Sequence, residues 1–461
     1  MITHKTFINP ASMKQFMLIF ITILCLIISC KEGPDVPGNG EGKPSNNAKK
    51  YPADVAVAWI NLQQDLIKTT PGFDPLVAGR SFSFSGLALY ESIVKGMPGY
   101  RSVASPRIGS DINTLHKHPL IYWPASANAA MAFMLKNLFA STSAANMNKI
   151  DSLEAVFNAQ FQLEIPASIL SESAAYGEKI ADRIFDWSKT DGGHEAYLAA
   201  TNSNYVPPTG PGLWIPTPPA FSQPIRPYWG DNRSFVPNSA TLTLPPPPLA
   251  YSEDAASAFY QAVHEVYNKS HSLTAEEISI VKTWGDLPGN YGTSSHYTHI
   301  ATQLIQENGL KLDQAAVAYA KHGMAIYEAT ICVFKAKYTY NLIRPISYIQ
   351  QVLGHAAWST VIGNPPHPEY PSAHATIGGA SYVVLESIFG KNYAFVDRTH
   401  ENLYGTRSYN NLREYAVEAA NSRFLGGIHY NFSAAVGLIQ GEKVGNLINN
   451  IPFKGNANNQ P

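Results

Sequence analysis

Three islands of charged and imidazole side chains lie between Lys337 and His429, in a stretch that is otherwise apolar. The first, KYTYNLIRP, carries Lys337 and then Arg344 followed by Pro345. The second, YPSAHATIGGA, carries Pro371, Ser372, Ala373 and His374. The third, SRFLGGIHY, carries Ser422, Arg423 and His429. From them Lys337, Arg344 and Arg423 supply three cations, Ser372 one hydroxyl, and His374 and His429 two imidazoles. Three positive charges are too many for a carboxylate, and the set suits a compact trianionic oxyanion.

The elements that hold these residues must point them at one place. Residues 313–343 give the longest helical signal: Val317, Ala320, Met324, Tyr327, Ile331 and Phe334 recur at steps of three and four and build one inward stripe. Lys337 is the next step of three, so its amine follows the stripe inward, where an unpaired ammonium costs several kcal/mol and calls for an anion. The alternative is a lysine that snorkels to water from a helix end. Pro345 stops the helix and biases Arg344 to an extended conformation. Pro371 and Ser372 precede a helix whose Gly378, Gly379 and Ala380 permit close packing. Ser372 can cap that helix. The same helix start also aims free N–H groups and the positive end of the dipole at a bound oxyanion, with His374 in the first turn. A helix over 412–424 carries Arg423 inward, Gly426 and Gly427 break it, and His429 stands at the entry to a final helix over 433–449. A lone histidine there would read as a satisfied core residue, but the three spacings in this order argue against coincidence.

The rest of the chain reads as scaffold. Two helices are expected within 52–95, and others over 126–140, 144–162, 168–188, 252–268, 274–285 and 294–308. Strand signals are scarce, so the fold class is all-α: a large helical bundle with one long Pro/aromatic-rich loop. That loop, Tyr205 to Pro248, contains Trp214, Phe221, Tyr228 and Trp229, and disordered segments are poor in aromatics. We read it as an ordered belt that walls the site, the alternative being a structural wrap. At the N-terminus, lysines precede the apolar run FMLIFITILCLIIS, fourteen residues long and suited to a signal-peptide core. The IISC box resembles a bacterial lipobox. Residues 1–29 are therefore expected to be a lipoprotein signal, Cys30 the lipidated residue and 30–50 a flexible tether, with an uncleaved anchor as the alternative. Cys25 leaves with the signal, so Cys332 remains alone and no intrachain disulfide can form. Residues 51–461 are expected to form one helical domain, with its motif core at 337–429. The expected location is a bacterial cell envelope, periplasmic or outer-membrane surface, with contact to the membrane through lipid only. Net charge is −1 with no basic run, which argues against nucleic acid as a partner. Oligomeric state is not legible.

Lysine, six residues, then Arg-Pro; Pro-Ser-x-His; and Ser-Arg, five residues, then histidine: this set resembles the signature shared by vanadium-dependent haloperoxidases and type 2 phosphatidic acid phosphatases. The upstream segments AWINLQ, RSFSFSGLALYES, PGLWIPTPPAF and GTSSHYTHIA look like the soluble bacterial haloperoxidase branch. The resemblance implies vanadate as cofactor, bound axially by His429. Lys337, Arg344 and Arg423 would neutralise its equatorial oxygens, Ser372 and the N–H of Ala373 would donate to it, and His374 would be the acid–base group. Hydrogen peroxide, polarised by Lys337, would then oxidise iodide or bromide. A soluble acid phosphatase of the superfamily would need no cofactor, and there His429 would attack the phosphorus of a phosphomonoester. A non-catalytic, oxyanion-binding envelope lipoprotein is a third reading. Three positions depart from the pattern: Ala373 where glycine is usual, Phe334 where haloperoxidases have tryptophan, and Ser433 where many relatives have an aspartate that orients the imidazole. A hydroxyl at 433 supplies no charge, so His429 is expected to be less basic. His367 lies where the resemblance separates halide preferences, histidine going with bromoperoxidases and phenylalanine with chloroperoxidases; the alternative is a surface histidine. Asp286 is a candidate partner for an arginine.

Overall fold

Helix boundaries follow from local chemistry. In the computed structural model, which describes residues 47–109, 120–202, 204–286 and 290–455, α1 spans Asp54–Thr69 and α2 spans Pro75–Glu91. Asp74 caps α2: its carboxylate accepts the amides of Leu76 (2.9 Å) and Val77 (3.2 Å), and Pro75 sits where a missing N–H has no consequence. There follow α3 (Trp123–Leu138), α4 (Ala144–Phe161), α5 (Ala167–Ser188), α6 (Ala258–Ser270), α7 (Ala275–Thr283), α8 (Thr293–Glu307) and α9 (Leu312–Tyr340). The chain then continues through α10 (Pro345–Gln351), α11 (Ala373–Phe389), α12 (Leu412–Leu425) and α13 (Asn431–Asn449), one-turn helices being left unlabelled. Sheet among the described residues is one antiparallel pair, β1 (Phe395–Asp397) with β2 (Arg407–Tyr409), in which Val396 faces Ser408. The class is all-α, as expected.

The long helix α9 packs along α2 and also meets α11 and α13. It is buried on every side from Gly323 to Phe334, which is the signature of a core helix rather than a surface one. Its C-cap, Asn341, adopts the left-handed conformation (φ 48°), and there the chain turns toward Arg344. Helices α11 and α13 meet backbone to backbone. A Cβ at Gly379 would lie 2.6 Å from the Leu438 carbonyl oxygen, so only glycine allows this approach. The contact also brings Ser372, at the start of α11, against α13, with its amide donating to the Ser433 carbonyl at 3.3 Å.

The Pro-rich belt is ordered and tied to the motif segments. Leu213 pairs with Leu342; the Trp214 amide donates to Asn341 (2.7 Å), and the Ile343 amide donates back to Gly212 (2.9 Å). The Ile225 amide donates to Pro366 at 2.9 Å, and the Tyr340 and Tyr370 hydroxyls donate to the carbonyls of Pro245 and Pro246. Trp214 and Trp229 are buried, whereas Phe221 and Tyr228 face outward. The belt therefore braces the segments on both sides of Arg344. The tether was expected to run to residue 50, but Ala48–Lys50 form a 3-10 turn with Ala48 buried, so the fold starts earlier. The signal segment and Cys30 lie outside the described residues. Among the described residues no helix is long and apolar enough to cross a membrane.

Candidate functional site

Lys337 does not snorkel. It is 0 % exposed on the last turn of α9, and its amine donates to the carbonyls of Pro368 (3.0 Å) and Glu369 (2.8 Å). Arg344, held extended ahead of Pro345 (ψ 151°), is also fully buried. One guanidinium nitrogen, Nη1, donates to the Ile428 carbonyl at 2.7 Å and lies 3.2 Å from His429 Nε2. The other, Nη2, donates to the His367 carbonyl at 3.0 Å and lies 3.1 Å from His367 Nδ1. His367 is therefore a buried neighbour of the cations, not a surface residue; its ring packs 5.2 Å from Phe334.

Ser372 occupies the N-cap position of α11, yet its hydroxyl makes no capping bond. The buried Oγ has no hydrogen-bond partner. Capping does not explain this serine. The neighbouring Ala373 amide is in the first turn, where an N–H has no intrahelical acceptor. His374 sits one residue further on, its Nε2 2.8 Å from Thr293 Oγ1 and 3.5 Å from Asp286 Oδ2. Arg423, buried on the last turn of α12, donates through Nη1 to the Trp284 carbonyl, while its Nε is buried without a partner. Gly427 (φ 78°) then turns the chain so that His429 enters the same cluster.

Glu369 was not foreseen. Its Oε1 is 2.7 Å from His429 Nδ1 and accepts the Tyr430 amide at 3.1 Å. This corrects the expectation for Ser433: the group that orients the imidazole is a carboxyl, and the Ser433 hydroxyl lies beside that carboxyl, where it favours the charged form. The carboxylate that orients the imidazole is present but comes from the segment before Ser372 rather than from α13. When Nδ1 donates to Glu369, Nε2 carries the lone pair and lies 3.2 Å from Arg344 Nη1, so a ligand on Nε2 would take the place of that hydrogen bond. Asp286 likewise bonds to imidazoles rather than to an arginine: its Oδ1 is 2.9 Å from His296 Nδ1 and 3.3 Å from His400 Nε2. It reaches Arg423 only through its charge.

The electrostatics describe a site with too much positive charge. Burial, followed by the Arg344 charge, pushes the Lys337 amine well below its usual value against the pull of Glu369. Burial lowers Arg344 and Arg423 to about 10. Burial, then Arg344 and Lys337, hold His429 well below the usual imidazole range. His374 falls to about 4 through burial and Arg423, with Asp286 opposing. Burial raises Glu369 to about 7 although Lys337 and Arg344 pull it down. Burial penalises every cation, and Lys337 and Arg344 are each penalised further by a neighbouring arginine; a multiply charged anion among them would reverse that penalty. The free Ser372 hydroxyl and the Arg423 Nε are donors with no acceptor. The residues fit a tetrahedral oxyanion such as vanadate or phosphate.

Periodicity and the motif spacings located Lys337, Arg344, Ser372, His374, Arg423 and His429, the resemblance singled out His367, and the structure brings them together. Glu369, Thr293, His296 and His400 were missed. Thr293 and His296 lie in the GTSSHYTHIA segment, but nothing in their spacing marks a side chain that must reach α11.

The chain matches the family model described as the VCPO second helical-bundle domain over residues 351–452, a span that excludes Lys337 and Arg344. Among curated proteins it is 32% identical over 95 residues to a vanadium-dependent bromoperoxidase of Ascophyllum nodosum, and 24% identical over 363 residues to a vanadium chloroperoxidase of Curvularia inaequalis. It spans 17% and 59% of the lengths of those two relatives. Among solved structures it is similar to a bacterial vanadium-dependent iodoperoxidase, with a TM-score of 0.76 and 30% identity, covering 91% of this chain and 98% of the other. A bacterial vanadium-dependent chloroperoxidase shares the fold, with a TM-score of 0.64 at 16% identity, covering 84% of this chain and 93% of the other. The chain belongs to the vanadium haloperoxidase superfamily, in its bacterial branch.

Proposed function

We propose that this chain holds vanadate on His429 and, with hydrogen peroxide, oxidises iodide and bromide but little or no chloride. The observation that carries this reading is the buried set of Lys337, Arg344 and Arg423 beside a histidine whose Nδ1 is tied to Glu369 and whose Nε2 faces Arg344 Nη1 at 3.2 Å. Vanadate, when bound, supplies a Lewis-acidic centre that activates hydrogen peroxide toward halide. The protein's part is to bind and orient. Lys337, Arg344 and Arg423 balance the oxyanion charge; the Ser372 hydroxyl and the Ala373 amide donate to its oxygens. His374, neutral in the free protein near neutral pH, is placed to accept or return a proton, with Thr293 and Asp286 orienting its Nε2.

Iodide is supported by likeness to the iodoperoxidase, and bromide by His367, which the structure puts within reach of Arg344. Chloride is the hardest of the three to oxidise and needs the most activated peroxide. A second imidazole against Arg344 alters the proton inventory and the charge balance of the site. The test is reconstitution of purified protein with vanadate, followed by steady-state turnover with peroxide and each halide at matched concentration. Turnover of iodide and bromide with chloride near background is expected. Efficient chloride turnover would sink the selectivity assignment. Phosphomonoester hydrolysis without vanadate, and no halide turnover with it, would replace the reading with the phosphatase one.

A further inference from the structure

Next to His374 lies a second cluster, joined to the oxyanion site only through the contact of Asp286 with His374. Asp286, His296 and His400 each offer one ligand atom, and these atoms all lie within 4.8 Å of one another. Both imidazoles converge on a single carboxylate oxygen, Asp286 Oδ1, with His296 Nδ1 at 2.9 Å and His400 Nε2 at 3.3 Å. In a tetrahedral zinc site with bonds of about 2.0–2.1 Å, neighbouring ligand atoms stand about 3.3 Å apart. The two separations here lie close to that value.

The surroundings of His296 also point to a ligand. His296 turns its other nitrogen, Nε2, to Asp397 Oδ2 at 2.9 Å, and Asp397 is itself fixed by the amide (2.9 Å) and hydroxyl (2.6 Å) of Thr399. A carboxylate behind the far nitrogen is the arrangement that orients metal-ligating histidines and raises their basicity. The second oxygen of Asp286 is buried and lies 3.5 Å from His374 Nε2, which it helps to orient. Trp284 stacks on the His296 ring at 4.3 Å and 13°, so the ring is held in this pose before any ligand arrives.

We propose that Asp286, His296 and His400 form a binding site for a first-row divalent cation of the zinc class, adjoining His374. Two imidazoles and one carboxylate suit zinc and its neighbours better than calcium or magnesium, which favour all-oxygen shells. The carboxylates of Asp286 and Asp397 match the two charges of the cation. Binding would displace the proton that His296 Nδ1 shares with Asp286, leaving Nε2–H on Asp397. The site is positional rather than catalytic: it would fix the carboxylate that faces His374 and the loop whose Trp284 carbonyl holds Arg423.

The test uses the untagged full chain, stripped with a chelator and free of vanadate, titrated with zinc against a chromophoric competitor. Binding of about one zinc per chain is expected, weakened in His400→Ala by at least the roughly 10- to 100-fold seen when a mere outer-shell partner is lost. Cobalt(II) added to the wild-type chain should give the intense visible bands of four-coordination, a readout that does not depend on any variant folding. Equal zinc affinity in wild type and His400→Ala, or only the weak spectrum of six-coordinate cobalt, would overturn the proposal. Because vanadate is absent throughout, the outcome is independent of the oxyanion reading.

Discussion

Ser372 shows how a residue with two readings is separated by geometry. A capping serine loses about 1 kcal/mol of stability on replacement by alanine, but this hydroxyl caps nothing. Ser372→Ala should therefore leave the melting temperature of the vanadate-free protein nearly unchanged while weakening vanadate binding by about 1 kcal/mol; thermal scans with and without vanadate check both halves. Arg423 is a charge-assisted donor, and Arg423→Ala should cost about 1.5–3 kcal/mol of vanadate affinity, roughly ten- to a hundredfold. Equal affinity in wild type and variant by equilibrium dialysis would refute its role. Glu369 acts through the His429 ring. Glu369→Gln should lower vanadate affinity by about 10- to 100-fold, and Glu369→Asp should recover part of it. Lys337, Arg344, Arg423 and His429 were legible because buried cations on apolar stripes are rare and their spacing is a motif. Glu369 was not, because its partner is sixty residues away in the chain and only the fold brings the two together.

At the scale of elements, the helices were read well: the stripe that predicts 313–343 became α9, Leu312–Tyr340, and the glycines expected to allow close packing do so at the α11–α13 crossing. The belt was read as ordered from its aromatics, but its anchoring was not legible. It is held by backbone bonds to residues 341–343 and by a buried carboxylate, Glu328 on α9, which accepts the amides of Phe235 (2.8 Å) and Val236 (3.1 Å). Burial raises the Glu328 carboxyl from 4.5 to about 7 despite these donors. The native state thus holds its proton to a higher pH than the unfolded chain does. This contribution to stability falls as pH rises from 4.5 through about 7, by up to a few kcal/mol. Glu369, raised to about 7 as well, acts in the same direction. Thermal melts across that window should decline more steeply for wild type than for Glu328→Gln. Parallel profiles for the two proteins would contradict this account of the join.

At the scale of the whole molecule, one superfamily signature over about a fifth of the chain sufficed to place the fold, because three cations and two histidines must be carried by helices that meet in one way. The cluster at Asp286 escaped notice because its histidines come from α8 and from the segment after β1, with no motif joining them. The N-terminal reading makes its own prediction. Mass spectrometry of protein from a bacterial envelope should find a mature N-terminus at Cys30 carrying lipid, and an unmodified N-terminus elsewhere would overturn it. The central claim is that the buried cations and His429 form one vanadate site that makes the protein a haloperoxidase. Its most direct test is titration of vanadate-free protein with vanadate while bound vanadate and iodide oxidation are followed together, in wild type and in His429→Ala. The account predicts binding that saturates near one vanadate per chain, activity that rises in proportion, and loss of both in the variant. Iodide oxidation independent of added vanadate, or retained in full by His429→Ala, would contradict it.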